Sequence, residues 1–335
     1  MADHIEYYKG KVILFTGGAG AIGSNLCKAL LKTGAESITI LDDFSSGFSW
    51  NVPDNIFTLK GSVTDEDCLK RAFIKKPQVV FHLAALFANQ NSVDYPEKDL
   101  MVNGLGTLKV LEFCRLYGIE KFIYASSVYG NNGALPLKEE SATLDPSTPY
   151  QITKMLGELY CNFFYNYYGL PAVRVCFFNS YGPGEVPGQY RNVIPNFIYR
   201  AMKGEALPIT GTGQETRDFT YVGDLIDGLL RAGYSDAAIG EKFNIASGKE
   251  TKIIDLANMI NELTGNRAGV KFVSKRRWDT KDKRLASIEK AGLILGYEPK
   301  VSLNDGLKET IKWFKDNWRL IEESAFFTPE RIVKS

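Results

Sequence analysis

The sequence predicts an α/β protein: a doubly wound parallel sheet followed by a smaller α+β lobe. Through about residue 180, continuous apolar runs alternate with segments of helical periodicity, the pattern of a parallel sheet covered on both faces. The first apolar run ends in a glycine-rich turn that opens a helix. Beyond residue 180 the segments become shorter and mixed. We therefore expect one domain over 1–180 and a second over 181–335, with the chain crossing back to the first domain.

The first domain is expected to contain six strands connected by helices. Crossovers between parallel strands are right-handed, so helices should cover both faces of the sheet. Ligands of such open sheets bind at the carboxyl ends of the strands. The predicted strands are 11–18, 37–43, 55–63, 78–85, 121–127 and 171–179, and the predicted helices are 21–34, 65–75, 99–118 and 149–168.

The second domain gives weaker signals. Residues 180–192, "SYGPGEVPGQYRN", contain too many turn formers for regular structure, so we expect a loop there. No pattern assigns a role to residues 319–335. The predicted elements are helices at 193–204, 224–232, 253–264 and 304–317 and a strand at 207–211.

Composition and charge exclude several function classes. The 335 residues are 44% hydrophobic and 24% charged, and a net charge of +1 gives no general attraction to nucleic acid or anionic membranes. The five cysteines are scattered without ligand-like spacing, which favours free thiols in a reducing compartment. No apolar run reaches the roughly 18 residues of a membrane span, and the N-terminus lacks the apolar core of a signal peptide. We expect a cytoplasmic protein.

The two histidines, His4 and His82, lie far apart in the sequence. So few histidines argue against a histidine metal site and against a Ser-His-Asp triad. We predict no metal ion, and we interpret His82, inside the fourth predicted strand, as a core residue.

The segment "TGGAGAIG" at 16–23 predicts a dinucleotide-binding turn. Gly17 permits the tight turn, Gly20 lets the backbone approach a pyrophosphate, and Gly23 packs helix against strand. The helix N-terminus then stabilises phosphate charge. Asp42 ends the second predicted strand, 19 residues after Gly23. A carboxylate there can accept from both ribose hydroxyls and would repel a 2′-phosphate, which favours NAD over NADP.

The segment "STPYQITKMLGE" at 147–158 places Tyr150 and Lys154 one helical turn apart. Most such pairs are solvated surface, but other motifs accompany this one. The glycine turn, "HLAA" at 82–85, "VNGLGT" at 102–107, a serine pair before "VYG" and the YxxxK spacing together resemble the extended short-chain dehydrogenase/reductase family, which has a Rossmann-type fold. "NSYGPG" at 179–184 and "GTGQETRDFTYVGDL" at 211–225 resemble its nucleotide-sugar epimerases, dehydratases and decarboxylases. The resemblance runs from about residue 11 to about residue 318.

The resemblance implies a catalytic role for three residues. Tyr150 would exchange a proton with a sugar hydroxyl while NAD takes the hydride. A phenol with a pKa near 10 is a poor base at pH 7, so the Lys154 ammonium and the positive nicotinamide would both favour the phenolate. Ser127 would hydrogen-bond the reacting oxygen, with Ser126 as the alternative.

The resemblance also implies contacts with NAD along the whole cleft. Ser62 stands where the family usually has an aspartate that accepts from the adenine amino group, and Val63 can offer its backbone. Asn103 would buttress the site, and Phe178 would lie beside the nicotinamide. The remaining expected contacts are Ala21 and Ile22 over the pyrophosphate, Asp43, Ser45 and Ser46 at the adenosine ribose, and Leu83, Ala84 and Ala85 past the fourth strand.

The substrate side is expected to use cations and amides. Arg217 and Arg276 resemble the diphosphate-binding arginines of the family, because a diphosphate requires charge-assisted and preferably bidentate partners. Asp279 would accept from a ribose hydroxyl. The basic run 275–284 is interrupted by acidic residues, which argues against nucleic acid. The sugar and first phosphate would be held by Asn179, Asn192 and the backbone of Val193.

The residues beside the serine pair bear on the reaction. Dehydratases and decarboxylases of the family carry carboxylates there, and "ASSVYG" at 125–130 has none. We therefore expect C4 epimerisation through a 4-keto intermediate, most commonly on a UDP-sugar, with NAD retained. The alternatives are a nucleotide-sugar dehydrogenase, decarboxylase or 4,6-dehydratase and, more remotely, a non-catalytic NAD-binding regulator. The resemblance also implies a homodimer that pairs helices 99–118 and 149–168.

Overall fold

A parallel sheet forms the centre of the molecule in the computed structural model, which describes residues 3–128, 134–141, 143–279 and 281–327. Within these ranges the sheet has seven strands in the order β10-β6-β5-β4-β1-β2-β3, and every neighbouring pair is parallel. The strands are β1 (Val12–Thr16), β2 (Ser37–Asp42), β3 (Phe57–Lys60), β4 (Val79–His82), β5 (Lys121–Ser127), β6 (Ala172–Phe177) and β10 (Lys242–Ile245).

Helices cover both faces of this sheet, which explains why its central strands are apolar throughout. Phe15 of β1 faces one hydrophobic core and its neighbour Leu14 faces the other, because successive side chains of a strand point to opposite faces. The first core lies under α2 (Ala21–Leu31), α9 (Val222–Tyr234) and α11 (Glu289–Leu295), and the second under α3 (Glu66–Phe73), α6 (Gly106–Tyr117) and α7 (Pro149–Tyr168).

A third core lies in the second half of the chain, between two small sheets and four helices. One sheet has the order β11-β9-β7 and the other pairs β12 with β8. The strands are β7 (Asn179–Tyr181), β8 (Leu207–Thr210), β9 (Thr216–Tyr221), β11 (Glu250–Lys252) and β12 (Val270–Val273), and the helices are α8 (Val193–Met202), α10 (Ile253–Thr264), α12 (Leu303–Asp316) and α13 (Trp318–Ser324).

The predicted helix 99–118 is wrong in its detail. The chain instead forms α4 (Asn89–Asp94), α5 (Pro96–Asp99), a π-helical segment at Leu100–Leu105 and then α6. The π-helical segment contains Asn103. Its side-chain oxygen accepts from the Leu86 N–H, and its side-chain nitrogen donates to the Leu86 carbonyl oxygen. Helix widening of this kind is frequent at functional sites. A further short helix, α1 (Asp3–Glu6), precedes the first strand.

Two predictions about strands are also wrong. The predicted strand 171–179 ends at Phe177, and residues 179–181, which include the start of the predicted loop 180–192, pair with β9 in another sheet. The sequence analysis missed β10 altogether, because a four-residue run of mixed polarity carries no strong periodic signal. This strand brings the chain from the second half back to β6 of the central sheet. A domain boundary at residue 180 stays a prediction.

Among the residues whose placement the structure describes, no helix combines the length and the apolar character that a membrane span requires. The same residues contain no cluster of three His, Cys, Asp or Glu side chains that could hold a metal ion. All five cysteines are free thiols.

Asp218 of β9 ties three segments of the second half together. Its buried carboxylate accepts from the backbone N–H groups of Ser247 (2.9 Å), Gly248 (3.0 Å) and Ala286 (3.3 Å). The Ser247 hydroxyl donates to the same carboxylate at 2.6 Å. Because buried donors need partners, this one side chain fixes two loops against the small sheet.

We expect Asp218→Ala to lower the free energy of unfolding by about 3 kcal/mol, because it leaves several buried donors without an acceptor. Denaturation in urea measures the change. Asp316→Ala is the matched control: it removes an exposed i,i+4 pair with Lys312 and should leave the free energy of unfolding nearly unchanged. Equal losses in the two variants would contradict this account.

Candidate active site

A cleft opens at the carboxyl ends of β1, β2, β4, β5 and β6, where the sequence predicted the ligand site. It brings most of the predicted residues together. Among the predicted cofactor residues, Asn103 alone is absent from the lining. The predicted residues that line the cleft are Gly17, Gly20, Ala21, Ile22, Gly23, Asp42, Asp43, Ser45, Ser46, Ser62, Val63, Leu83, Ala84, Ala85, Ser127, Tyr150, Lys154, Phe178 and Asn192.

The glycine-rich turn is shaped by close backbone contacts. Gly17 has φ +75°, and a Cβ atom there would lie 2.5 Å from the backbone nitrogen of Ala84. A Cβ atom on Gly23 would lie 2.5 Å from the carbonyl oxygen of Gly17. Both positions therefore require glycine. Gly20 is the N-cap of α2 and lines the cleft. The first backbone N–H groups of this helix have no partners within the helix, so they could donate to a phosphate group there.

Asp42 ends β2 at the rim of the same turn. One carboxylate oxygen accepts from the backbone N–H of Ala19 and the other from that of Phe44, each at 2.8 Å. Burial raises the pKa of Asp42, and these two hydrogen bonds oppose the shift. Each oxygen retains acceptor capacity, so the residue fits the predicted contact with ribose hydroxyls.

The start of α7 holds Tyr150 in place. Thr148 is the N-cap, and Pro149 occupies the first helical position, which suits its missing N–H. The Ser92 hydroxyl of α4 accepts from the Tyr150 backbone N–H at 3.0 Å. Tyr150 is 8% exposed, and Ser127 lines the cleft with it and lowers the pKa of its phenol. Ser126 instead donates to Glu158.

Lys154 lies one turn further along α7. Its side chain is 3% exposed, and its Nζ donates to the carbonyl oxygen of Ala125 at 2.8 Å. The same nitrogen lies 5.8 Å from the ring centroid of Tyr150 and 5.3 Å from that of Tyr124. The YxxxK spacing thus places the ammonium beside the phenol, at the end of β5.

Burial controls the electrostatics of this pair. It raises the pKa of Tyr150, and the nearby Asp99 raises it further, whereas the hydrogen bond with Ser127 lowers it. Burial also lowers the pKa of Lys154 to about 8, and Asp99 opposes that shift. The lysine therefore carries a proton at neutral pH. Phenolate formation at neutral pH needs positive charge beside the ring.

Asp99 belongs to a buried network that the sequence analysis missed. Its carboxylate accepts from the Thr153 hydroxyl and from the Asn103 amide, both at 2.7 Å. Asn103 in turn accepts from the backbone N–H of Leu86 at 2.7 Å. Asn103 thus lies behind the cleft and supports its wall. Asp99 precedes Asn103 by four residues, a spacing that could have identified it.

A second buried network lies on the same face of α7. Glu158 follows Lys154 by four residues and pairs with Lys242 of β10 at 3.0 Å. It also accepts from the Ser126 hydroxyl. Tyr150, Lys154 and Glu158 therefore form one stripe of the helix directed at β5 and β6. The third member of this stripe was present in the sequence but was not interpreted.

The predicted substrate residues divide into two groups. Asn192 lines the cleft and immediately precedes α8, which begins at Val193; Asn179 begins β7 and is not part of the cleft lining. Arg217 and Asp279 lie beyond the cleft lining and pair with each other, with one guanidinium nitrogen 2.9 and 3.1 Å from the two carboxylate oxygens.

Arg276 lies on the surface beside that pair. Its guanidinium lies 5.7 Å from the ring centroid of Trp278. The Trp278 Nε1 donates to Gln90 of α4 at 2.8 Å, so this segment reaches across to the first half of the chain. Trp278 of the predicted basic run therefore contacts α4 of the first half of the chain.

Several cleft residues were missed because only tertiary structure brings them there. Phe87 approaches Tyr150 edge-on, with ring centroids 6.2 Å apart. Ser180, Glu185 and Arg191 enter from the Gly/Pro-rich segment. Lys98 enters from α5. Because Asn192 was predicted to contact the substrate, its neighbour Arg191 could also have been predicted as a cleft residue.

His82 is a satisfied core residue in the structure, as the sequence analysis interpreted it. It is 1% exposed, and its two ring nitrogens lie 2.6 Å from the Thr16 hydroxyl and 2.9 Å from the Thr107 hydroxyl. Burial, with Lys154 nearby, lowers its pKa to about 3. His82 is therefore neutral over the physiological range.

The chain is similar to known proteins over most of its length. Residues 13–246 match the model of the NAD dependent epimerase/dehydratase family. A solved epimerase from Methanothermobacter thermautotrophicus is 54% identical, covers 97% of this chain and 98% of its own, and superposes with a TM-score of 0.95. A Thermotoga maritima UDP-glucose 4-epimerase, solved with UDP-glucose, is 34% identical over 91% of this chain and 99% of its own, with a TM-score of 0.87. A UDP-N-acetyl-alpha-D-glucosaminuronate decarboxylase from Bacillus cytotoxicus is 34% identical over 91% of this chain and 98% of its own.

We expect His82→Gln to flatten the fall of stability with decreasing pH. The folded-state pKa of about 3 lies below the unfolded value, so below about pH 6.5 the unfolded chain takes up a proton that the folded chain excludes. His82 therefore costs stability progressively as the pH falls from about 6.5 to about 4. Urea denaturation of both proteins across this range measures the difference. An unchanged slope would contradict the assigned shift.

Proposed function

Because the chain belongs to the NAD-dependent epimerase/dehydratase family, we propose that it is a nucleotide-sugar 4-epimerase that retains its NAD. The observation that carries the proposal is that the Tyr150 phenol, Ser127 and the Lys154 ammonium line one cleft together with a dinucleotide turn. This arrangement supplies a proton acceptor, a hydrogen-bond donor to the reacting oxygen and a cation.

The positions of the carboxylates among the described lining residues favour epimerisation over elimination. The carboxylates among the described lining residues are Asp42 and Asp43 at the adenosine end and Glu185 beside Arg191. Asp99 and Glu158 lie behind the wall in networks of their own. Residues 128–133, which follow the serine pair, read "VYGNNG" and add no carboxylate. A ketone formed at C4 then has one simple fate, which is return of hydride to its other face.

Tyr150, in this proposal, takes the proton of the sugar C4 hydroxyl and later returns it. NAD supplies the hydride acceptor and a positive charge at the phenol. Ser127 holds the reacting oxygen, and Lys154 stabilises the phenolate. Burial opposes the ionisation of Tyr150, so the cations that surround it decide whether the base forms near neutral pH.

We further propose that the second half of the chain holds a nucleoside diphosphate, with UDP the first candidate. Arg217 and Arg276 lie beyond the cleft lining and would supply positive charge to the diphosphate, and Asp279, held by Arg217, would accept from a ribose hydroxyl. Relatives of both reaction types named above act on or bind UDP-sugars. Asn192 at the start of α8 completes this end of the site.

A homodimer in the cytoplasm is the assembly that we propose. Exposed apolar side chains on α6 and α7, including Leu116, Leu159 and Phe163, give these helices a face suited to a second copy. The free cysteines fit a reducing compartment.

The decarboxylase relative makes a diverted 4-keto intermediate the second candidate. Release of the ketone would make the protein a dehydrogenase, and loss of CO₂ or water would make it a decarboxylase or a 4,6-dehydratase. Accumulated NADH, released CO₂ or a keto product that has lost one water would each favour this candidate. A non-catalytic NAD-binding regulator is disfavoured, because such a protein does not require the Ser127–Tyr150–Lys154 arrangement.

We expect a panel of nucleotide sugars, followed by NMR, to show one C4 epimer pair interconverting without added NAD. Tyr150→Phe should lower the rate at least ~100-fold, because it removes the proton-transfer group and keeps the ring. Tyr160→Phe, a hydroxyl removed further along α7, should retain activity. Unchanged turnover in Tyr150→Phe would exclude the proposed mechanism.

We expect Asp99→Asn to move both limbs of the pH–rate profile to lower pH. The carboxylate raises the pKa of Tyr150 and of Lys154, so neutralising it lowers both values. Other charged or titratable groups that face this pair include Tyr124, Glu158, Cys161, Cys176 and His82. A variant that lowers the rate at every pH without moving either limb would show that Asp99 acts only through packing.

A further inference from the structure

The loop at 183–192, between β7 and α8, rests directly on the cofactor half of the cleft. The Asn25 amide of α2 donates to the carbonyl oxygen of Pro183 at 2.8 Å. The Asn51 amide donates to the carbonyl oxygen of Gly184, also at 2.8 Å. A Cβ atom on Gly184 would lie 3.2 Å from the side chains of Asn25 and Ser24. The loop therefore packs against the first turns of the helix that the glycine-rich turn opens.

Arg191 extends this contact to the loop after β2. Its guanidinium donates to the backbone carbonyl of Ser46, and both residues line the cleft. The neighbouring Phe48 N–H donates to the carbonyl oxygen of Ala19 at 3.1 Å, so the loop after β2 is itself packed on the glycine-rich turn. Arg191 thus contacts a loop of the predicted cofactor site that is itself packed on the glycine-rich turn.

The charge of Arg191 suits what this end of the cleft would hold. Among the described lining residues, the cations are Lys98, Lys154 and Arg191, and Lys154 stands at the opposite, phenol end. A dinucleotide pyrophosphate carries two negative charges, and a guanidinium with five N–H donors can bind it while keeping one bond to Ser46. Helix α2 supplies backbone N–H groups to the same phosphates.

Glu185 connects Arg191 to the substrate side. The Asn192 amide donates to the Glu185 carboxylate at 2.9 Å, and Glu185 is 6% exposed. Arg191 faces the same carboxylate. Arg191 therefore contacts the loop after β2, whereas the adjacent Asn192, which the sequence predicts to contact the sugar nucleotide, is held by Glu185.

We propose that Arg191 binds the pyrophosphate of NAD from the substrate-side loop, so that cofactor and nucleotide-sugar binding are thermodynamically coupled through residues 183–192. Such coupling is reciprocal: if NAD tightens binding of the second ligand, that ligand tightens binding of NAD by the same factor. An enzyme that reduces and reoxidises one bound cofactor benefits from this, because the cofactor is held most firmly while the sugar is present. The proposed coupling rests on the proposed function, because UDP is used as the second ligand. The proposed contact between Arg191 and NAD does not rest on it.

The first experiment is calorimetric titration of NAD into the purified full-length chain after removal of bound nucleotide. We expect Arg191→Ala to raise the Kd for NAD by about tenfold or more, and Arg191→Lys to fall between the two, since it keeps the charge and loses the fork. Arg200→Ala is the matched control, because Arg200 lies on α8 and pairs with Glu205 at 2.9 Å. Far-UV circular dichroism checks that each variant is folded. If a folded Arg191→Ala variant binds NAD with the same Kd as the parent chain, the proposal is overturned. If the alanine variant does not fold, an unchanged Kd for NAD in Arg191→Lys overturns it instead.

The second experiment repeats the NAD titration in saturating UDP. We expect UDP to lower the Kd for NAD in the parent chain and in Arg200→Ala, and to have little effect in Arg191→Ala. Equal UDP effects in all three proteins would overturn the coupling. If UDP does not bind the parent chain, the coupling and the proposed UDP-sugar substrate both fail. The first experiment still decides whether Arg191 binds NAD.

Discussion

The burial of the Lys154 ammonium is the constraint on which the rest of the site depends. A charge removed from water needs opposite charge and hydrogen-bond acceptors around it. The carbonyl oxygen of Ala125 at the end of β5 supplies one acceptor, and Asp99 and Glu158 supply negative charge from two sides. These partners come from different elements, so α5, β5 and α7 must meet in one arrangement. The position of Tyr150 follows from that arrangement.

Much of the fold and part of the site could be predicted because the signals are local. The glycines of the dinucleotide turn, Asp42 at a strand end and the four-residue spacing of Tyr150 and Lys154 each express a geometry set by one or two adjacent elements. The structure shows the backbone contacts that make glycine necessary at positions 17 and 23. Apolar runs located the central strands for the same reason, since a strand buried on both faces is apolar throughout.

The remainder depends on contacts between segments far apart in the chain. Nothing near Asp99 in the sequence reveals that it reaches Thr153, and nothing near Arg191 reveals the Ser46 carbonyl. The sequence analysis likewise assigned Arg217 and Asp279 to separate parts of a substrate, whereas the structure pairs them. Periodicity describes which face of an element is buried, but it does not identify the partner that covers that face.

The placement of β10 has a consequence for how the molecule holds together. This strand comes from the second half of the chain yet completes the central sheet beside β6. Its Lys242 supplies the buried counter-charge for Glu158 of α7. Removing the second half of the chain would leave β6 with an unpaired edge. It would also leave the buried Glu158 carboxylate without the counter-charge of Lys242. We therefore expect each half of the chain to depend on the other for its stability.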